Sequence, residues 1–188
     1  MFKRLFGGRR NENAAIVHSI YGQIVAAARQ PVFYAEWSVP DTPLGRYEMM
    51  ALHMFLFLHR TRGEDGPIQD VAQDVTDEFF KDVDHSLREL GIGDVGVPKR
   101  MKKLAKMFYG RADSYGKALA AEDREALAQA LYRNVFPGGT DWHEAQAMAN
   151  YVLACARDLA AQPAASIIAG NVTYLPAMQA FPAEGDSA

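Results

Sequence analysis

Ten residues, Met49 to Leu58, run as Met-Met-Ala-Leu-His-Met-Phe-Leu-Phe-Leu, with His53 their lone polar side chain. Thr42 before Pro43 is an N-cap and first-turn proline pair, which predicts a helix from Pro43 to about Arg60. A helix that is apolar on nearly every side belongs in the middle of a domain, with other elements packed around it. Ten residues fall short of the roughly 18 to 20 that cross a bilayer, so the run reads as a core helix. The rest of the chain must supply its shell.

That shell is predicted to be helical, because period 3.6 recurs almost everywhere and strand patterns are nearly absent. Asn13 is expected to cap a first helix with Val17, Ile20, Tyr21, Ile24 and Ala28 inward, stopped by Pro31. A short aromatic turn follows with Phe33, Tyr34 and Trp37. Pro67 opens a long helix whose stripe is Ile68, Val71, Val75, Phe79, Val83, Leu87 and Leu90, and Gly91 ends it. The next helix starts near Pro98 and buries Val97, Met101, Leu104, Phe108 and Tyr115, with Gly110 a potential break. Glu122 to Arg133 forms a short helix with Leu127 and Leu131 inward. Asp141, three residues before Glu144, resembles the start of a capping box for a last long helix burying Ala145, Met148, Val152, Ala156 and Leu159. Pro163 ends it, and the tail is expected to dock through Ile167, Ile168, Tyr174 and Leu175. The expectation is an all-α, single compact multi-helix domain over residues 13–175, built around an apolar central helix. A flexible basic arm (1–12) and a disordered tail (176–188) flank it.

With 188 residues, 49 % hydrophobic and 23 % charged, the chain suits one well-buried soluble domain. A net charge of -3 argues against a generic nucleic-acid binder, and no DNA partner is expected. One cysteine, Cys155, excludes an intramolecular disulfide and a cysteine-based zinc site; set among alanines, it reads as a buried structural thiol. The basic start, with Phe2, Leu5 and Phe6 interleaved, lacks the apolar middle of a secretory signal, and a cytoplasmic location is expected.

Charge is unevenly placed. From Glu64 to Asp94 ten acids face only Lys81 and Arg88; from Val95 to Ala112 there are six bases and no acid. At about 100° per residue, Lys99, Lys102, Lys103 and Lys106 share the face opposite Met101, Leu104 and Phe108, and Met107 falls beside them on the wet side. Two roles are open for this face: neutralising the acidic helix across the turn, or binding an acidic partner, an anionic membrane surface or ribosomal RNA. Arg88 with Asp94, and Arg111 with a carboxylate, are expected internal ion pairs.

Catalytic signals are weak. Asp82 and His85 have the i, i+3 spacing of carboxylate-bridged metal bundles, but Asp70, Asp74 and Asp77 lie off the buried stripe and read as a solvated acidic face. His53 reads as a core histidine whose ring bonds a backbone carbonyl. No nucleophile triad or phosphate-cradling loop is present. Neither metal nor cofactor is expected, and the chain is expected to be no enzyme.

One ordered set of residues carries a resemblance. Gly45-Arg46-Tyr47-Glu48 with Leu52-His53, Gln73 through Asp77, Asp82-Val83-Asp84, Leu87 through Asp94, Val97-Pro98-Lys99, Met101-Lys102, and Phe108-Tyr109-Gly110-Arg111 with Tyr115 resemble the ubiquinol–cytochrome c reductase (bc1 complex) assembly chaperone family. The resemblance covers roughly Ile20 to Asn134. It implies a non-catalytic helical chaperone of respiratory complex III assembly whose client is newly made cytochrome b or another bc1 subunit. Mitochondrial relatives are associated with a small partner protein and the ribosomal exit region; this chain, with no long targeting extension, resembles a bacterial member. Within the motif, Arg88, Gly91, Gly93, Asp94, Pro98, Gly110 and Arg111 are expected to be structural. Lys99, Lys102, Lys103, Lys106, Met107 and Tyr109 are the candidate client or partner contacts. The alternatives are a helical adaptor docking on the ribosome or on the anionic inner membrane through the basic helix, and a carboxylate-bundle metal enzyme.

Overall fold

The structure, a computed structural model, describes residues 3–137 and 142–177, with side chains from Asn13 onward. Among them it has eight helices: α1 (Lys3–Ala28), α2 (Pro31–Ala35), α3 (Pro43–Thr61), α4 (Pro67–Glu89), α5 (Val97–Ala120), α6 (Arg124–Val135), α7 (Ala145–Ala161) and α8 (Ala164–Ile168). The apolar helix is central as its composition demands: α3 packs against α1, α4, α5, α6 and α7, and every residue from Ala51 to Phe57 is buried. Its start follows the local signals. Thr42 accepts a hydrogen bond from the Gly45 amide at 3.1 Å, with Pro43 in the first turn. Gly45 is also required by close approach, since a Cβ there would lie 1.9 Å from the Pro40 carbonyl oxygen.

Several boundaries differ from the sequence expectation. Asn13 caps nothing, because α1 is continuous from Lys3; the lysine, arginines, leucine and glutamate before it favour helix, so the chain upstream supplies the acceptors a cap would have provided. The aromatic turn closes into the short helix α2. Gly110 does not break α5, which runs on to Ala120 under the packing of Phe108, Tyr115 and Leu119. Asp123 caps α6 by accepting from the Ala126 amide at 2.9 Å. The expected capping aspartate of α7, Asp141, lies outside the described residues.

After α8 the chain is fastened by glutamines. Gln23 accepts from the Val172 amide and donates to the Gly170 carbonyl, Gln30 accepts from the Ala177 amide, and Gln162 brackets Thr173 on both sides. Ile167 is buried as expected, and burial continues to Val172 and Ala177. The tail expected to be disordered lies outside the described residues from 178 onward.

The α4–α5 connection is a rigid hairpin. Gly91, at φ +78°, ends α4, with the Ile92 amide bonding back to Leu87 and the Gly91 amide to Arg88. This is the Schellman pattern, which consumes two otherwise orphaned carbonyls. Arg88 spans the turn, bonding Asp84 at 2.6 Å and also Asp94. A Cβ at Gly96 would come within 3.1 Å of Ile92 Cγ2, so the two limbs meet closely. From Asp84 to Lys103 only Val97 is buried, and the hairpin therefore projects beyond the packed body.

Candidate functional site

The first turns of α5 bury Val97 and half-bury Met101 and Leu104, while Phe108 is fully enclosed against Phe79 and Phe80. Helical geometry then forces the opposite side outward. Lys99, Lys102, Lys103 and Lys106 are all exposed, as is Arg100. Among the described residues none of these five makes an ion pair; of the α4 carboxylates, Glu78, Asp84 and Glu89 pair with Lys81, Arg88 and His85 of their own helix. The neutralising role is thus not taken up by direct contact. A five-charge cationic strip stands open to solvent on a chain whose net charge is -3.

Tyr109 borders the strip, 57 % exposed, with its ring packed on Phe108 at 5.2 Å and Phe80 at 6.3 Å. It is a firmly seated aromatic edge beside the lysines. Met107, expected on the wet side, is half-buried instead. It sits about 100° from Phe108 around the helix, at the border of the packed face, so only part of it is available to a partner.

Of the motif residues, Arg88 and Asp94 pair as expected, and Gly91 supplies a left-handed residue. Pro98 occupies the first turn of α5. A Cβ at Gly93 or Gly110 would meet nothing within 4 Å, and nothing in the structure explains glycine at either position. Arg111 finds its carboxylate in Glu48 of α3, Nη2 to Oε1 at 2.7 Å, with the acid 2 % and the guanidinium 12 % exposed. This is a charge contact without hydrogen-bond alignment: Glu48 Oε1 and Arg111 Nε and Nη1 lack hydrogen-bond partners. Burial accordingly pushes the Glu48 carboxyl up to about 7 against the pull of Arg111.

His53 is the satisfied core histidine expected. Nδ1 is 2.8 Å from the Met49 carbonyl and Nε2 is 2.8 Å from the Tyr151 hydroxyl. The carbonyl can only accept, so Nδ1 carries the proton and Tyr151 donates to Nε2. Burial lowers its pKa to about 4, leaving a neutral ring. Cys155 is buried and pushed up to about 11, again by burial, the mark of an inert thiol.

The metal constellation does not assemble. Asp82 accepts from the Tyr21 hydroxyl at 2.8 Å, His85 faces Glu89 on the surface at 3.2 Å, and Asp70, Asp74 and Asp77 are exposed. Among the described residues no three His, Cys, Asp or Glu side chains converge to hold a metal ion.

The missed surface residues are Leu90 and Val95. Leu90 follows the inward stripe of α4, yet it is 57 % exposed because α4 outruns the body; Val95, in the turn, is 97 % exposed.

Residues 35–174 match the model of the family described as ubiquinol-cytochrome C chaperone. The chain belongs to that family. The match takes in the whole hairpin, the central helix and the tail as far as Tyr174. Among solved structures, the crystal structure of the Cbp3 homolog from Brucella abortus is similar at a TM-score of 0.88 and 55 % identity, covering 95 % of this chain and 99 % of that one. A curated relative, ubiquinol-cytochrome-c reductase complex assembly factor 1 of Xenopus laevis, is 26 % identical over 103 residues, 55 % of this chain and 51 % of the relative. The chain thus spans about half the length of that relative. Among the described residues no helix is long and apolar enough to cross a membrane.

Proposed function

We propose that this domain is a non-catalytic assembly chaperone of the ubiquinol–cytochrome c reductase complex that holds newly made cytochrome b, or another bc1 subunit, until assembly. Membership of the chaperone family supports the class of activity. The observation that carries the site is the cationic strip of α5, unpaired within the described fold, with Tyr109 seated at its edge. The strip would attract acidic client loops. The tyrosine, with the accessible part of Met107, would shelter an apolar segment between them. Few contacts of this kind bind weakly and reversibly, as a client that must leave requires, and a thioether adapts to varied apolar partners. In this reading the domain works in the cytoplasm at the face of the inner membrane, where such a client is made, and needs no cofactor. Glu48 and His53, its perturbed buried acid and base, are engaged in packing α3 and would take no part in chemistry.

The test joins two readouts. Lys102, Lys103 and Lys106 are reversed to Glu, and a photo-crosslinking residue replaces Tyr109 in cells. The expected results are a severalfold fall in assembled bc1 complex with the variant still folded, and capture of cytochrome b or another bc1 subunit from position 109. Unchanged complex levels together with no bc1 subunit captured would refute the assignment.

A further inference from the structure

The tip of the α4–α5 hairpin combines three features that folding does not require. Val95 stands 97 % exposed and Leu90 57 % exposed, five residues apart at the two ends of a turn held stiff by the Schellman bonds, the Arg88–Asp94 pair and the Gly96–Ile92 approach. Immediately beyond, Lys99, Lys102, Lys103 and Lys106 line the outer face of α5 without ion-pair partners among the described residues. The hairpin's other limb is acidic: Asp70, Asp74 and Asp77 are exposed along α4, while Asp84 and Asp94 are tied to Arg88 and Glu89 lies against His85. An apolar tip beside a basic helix face is the composition that suits a negatively charged surface.

We propose that the α4–α5 hairpin is a peripheral membrane anchor: Val95 and Leu90 enter the headgroup–acyl boundary of an anionic bilayer while Lys99, Lys102, Lys103 and Lys106 rest on its headgroups. The chemistry favours lipid over nucleic acid. The tip groups are aliphatic, with no flat face for a base to stack on. The charges are chiefly lysines, compact point charges suited to diffuse attraction, where planar bidentate arginines suit specific phosphate recognition. The hairpin is also largely exposed, with only Val97 buried from Asp84 to Lys103, so its turn is accessible to a bilayer surface. Two short aliphatic side chains bind only weakly alone; joined to a polybasic face they give reversible attachment. The anions nearest the tip, Glu89 and Asp94, lie against His85 and Arg88, which offset their repulsion from the surface. The lysines are those assigned above to acidic client loops and meet headgroups when no client covers them; Leu90 and Val95 take no part in that client contact, so the tip variant separates this inference from the client reading.

Full-length protein is incubated with vesicles of phosphatidylcholine containing about 30 % phosphatidylglycerol, and with phosphatidylcholine alone, and bound protein is measured by co-sedimentation. Binding is expected only to the anionic vesicles and is expected to be released at about 0.5 M salt, where screening is short-ranged. Leu90→Ser with Val95→Ser, both at exposed positions and therefore compatible with folding, removes the apolar groups without adding charge and should weaken partitioning about tenfold or more. Reversing Lys102, Lys103 and Lys106 to Glu should weaken it at least about a hundredfold, from roughly fivefold per positive charge lost, with the three added carboxylates weakening it further. Residues 1–12 are present in every variant, so a basic N-terminal segment cannot account for either loss. Wild-type protein that ignores anionic vesicles, or a Leu90–Val95 double variant that sediments like wild type, would overturn the proposal. So would tip-independent binding to polyuridylate in place of vesicles, which would assign the strip to RNA.

Discussion

Glu48 and His53 sit one and a half turns apart on α3 and titrate with opposite sign. Burial raises Glu48 from 4.5 to about 7 and lowers His53 from 6.5 to about 4. The folded protein holds the Glu48 proton more tightly than the unfolded chain does. Its contribution to stability is therefore full below pH 4.5 and is lost as pH rises through 7. For His53 the contribution is full above pH 6.5 and is lost as pH falls through about 4. One proton each gives slopes of about 1.4 kcal/mol per pH unit, negative for Glu48 and positive for His53. Over the shared window the two nearly cancel. Glu48→Gln removes one of them. Relative to wild type, the variant should therefore gain about 2–3 kcal/mol between the pH values 4.5 and 7 that bound the Glu48 shift. Leaving Arg111 opposite an amide adds a cost that offsets the curve without tilting it, and all other titrations are common to both proteins. Urea unfolding of the pair at several pH values across this range measures the tilt. A difference constant to within about 0.5 kcal/mol would refute the assignment of a raised, buried Glu48.

Two further substitutions test the packing around α3. Tyr151→Phe leaves His53 Nε2 without its hydroxyl donor and should cost about 1–3 kcal/mol in urea unfolding; a loss below about 0.5 kcal/mol would mean that the bond contributes nothing. Gly45→Ala drives a methyl into the Pro40 carbonyl and should cost about 2 kcal/mol or more by thermal unfolding. A melting temperature equal to wild type would show that the first turn of α3 shifts at no cost.

The site was legible in part. The outward set of Lys99, Lys102, Lys103 and Lys106 follows from the 3.6-residue period once Phe108 and Leu104 are placed inward, and Arg88 meeting Asp94 follows from a turn six residues long. That the lysines find no carboxylate among the described residues did not follow, because it depends on where α4 turns its acids. Leu90 was misplaced for a related reason: periodicity assigns a side of the helix, but only the length of the neighbouring elements decides whether anything covers that side.

By itself the sequence determined the all-helical class, the central position of α3, the limits of α3 and α4 and the start of α5. Those signals act within a turn or two of chain: a threonine before a proline, a glycine free to take positive φ, an apolar run with no wet face. Tertiary structure alone decided that Tyr151 meets His53, 98 residues away, that Glu48 is buried against Arg111, that Gln23 and Gln30 fasten the tail, and that the hairpin tip stands clear of the body. Each depends on which helix faces come together and how far one element outruns its neighbours. Local residue pattern does not encode those distances.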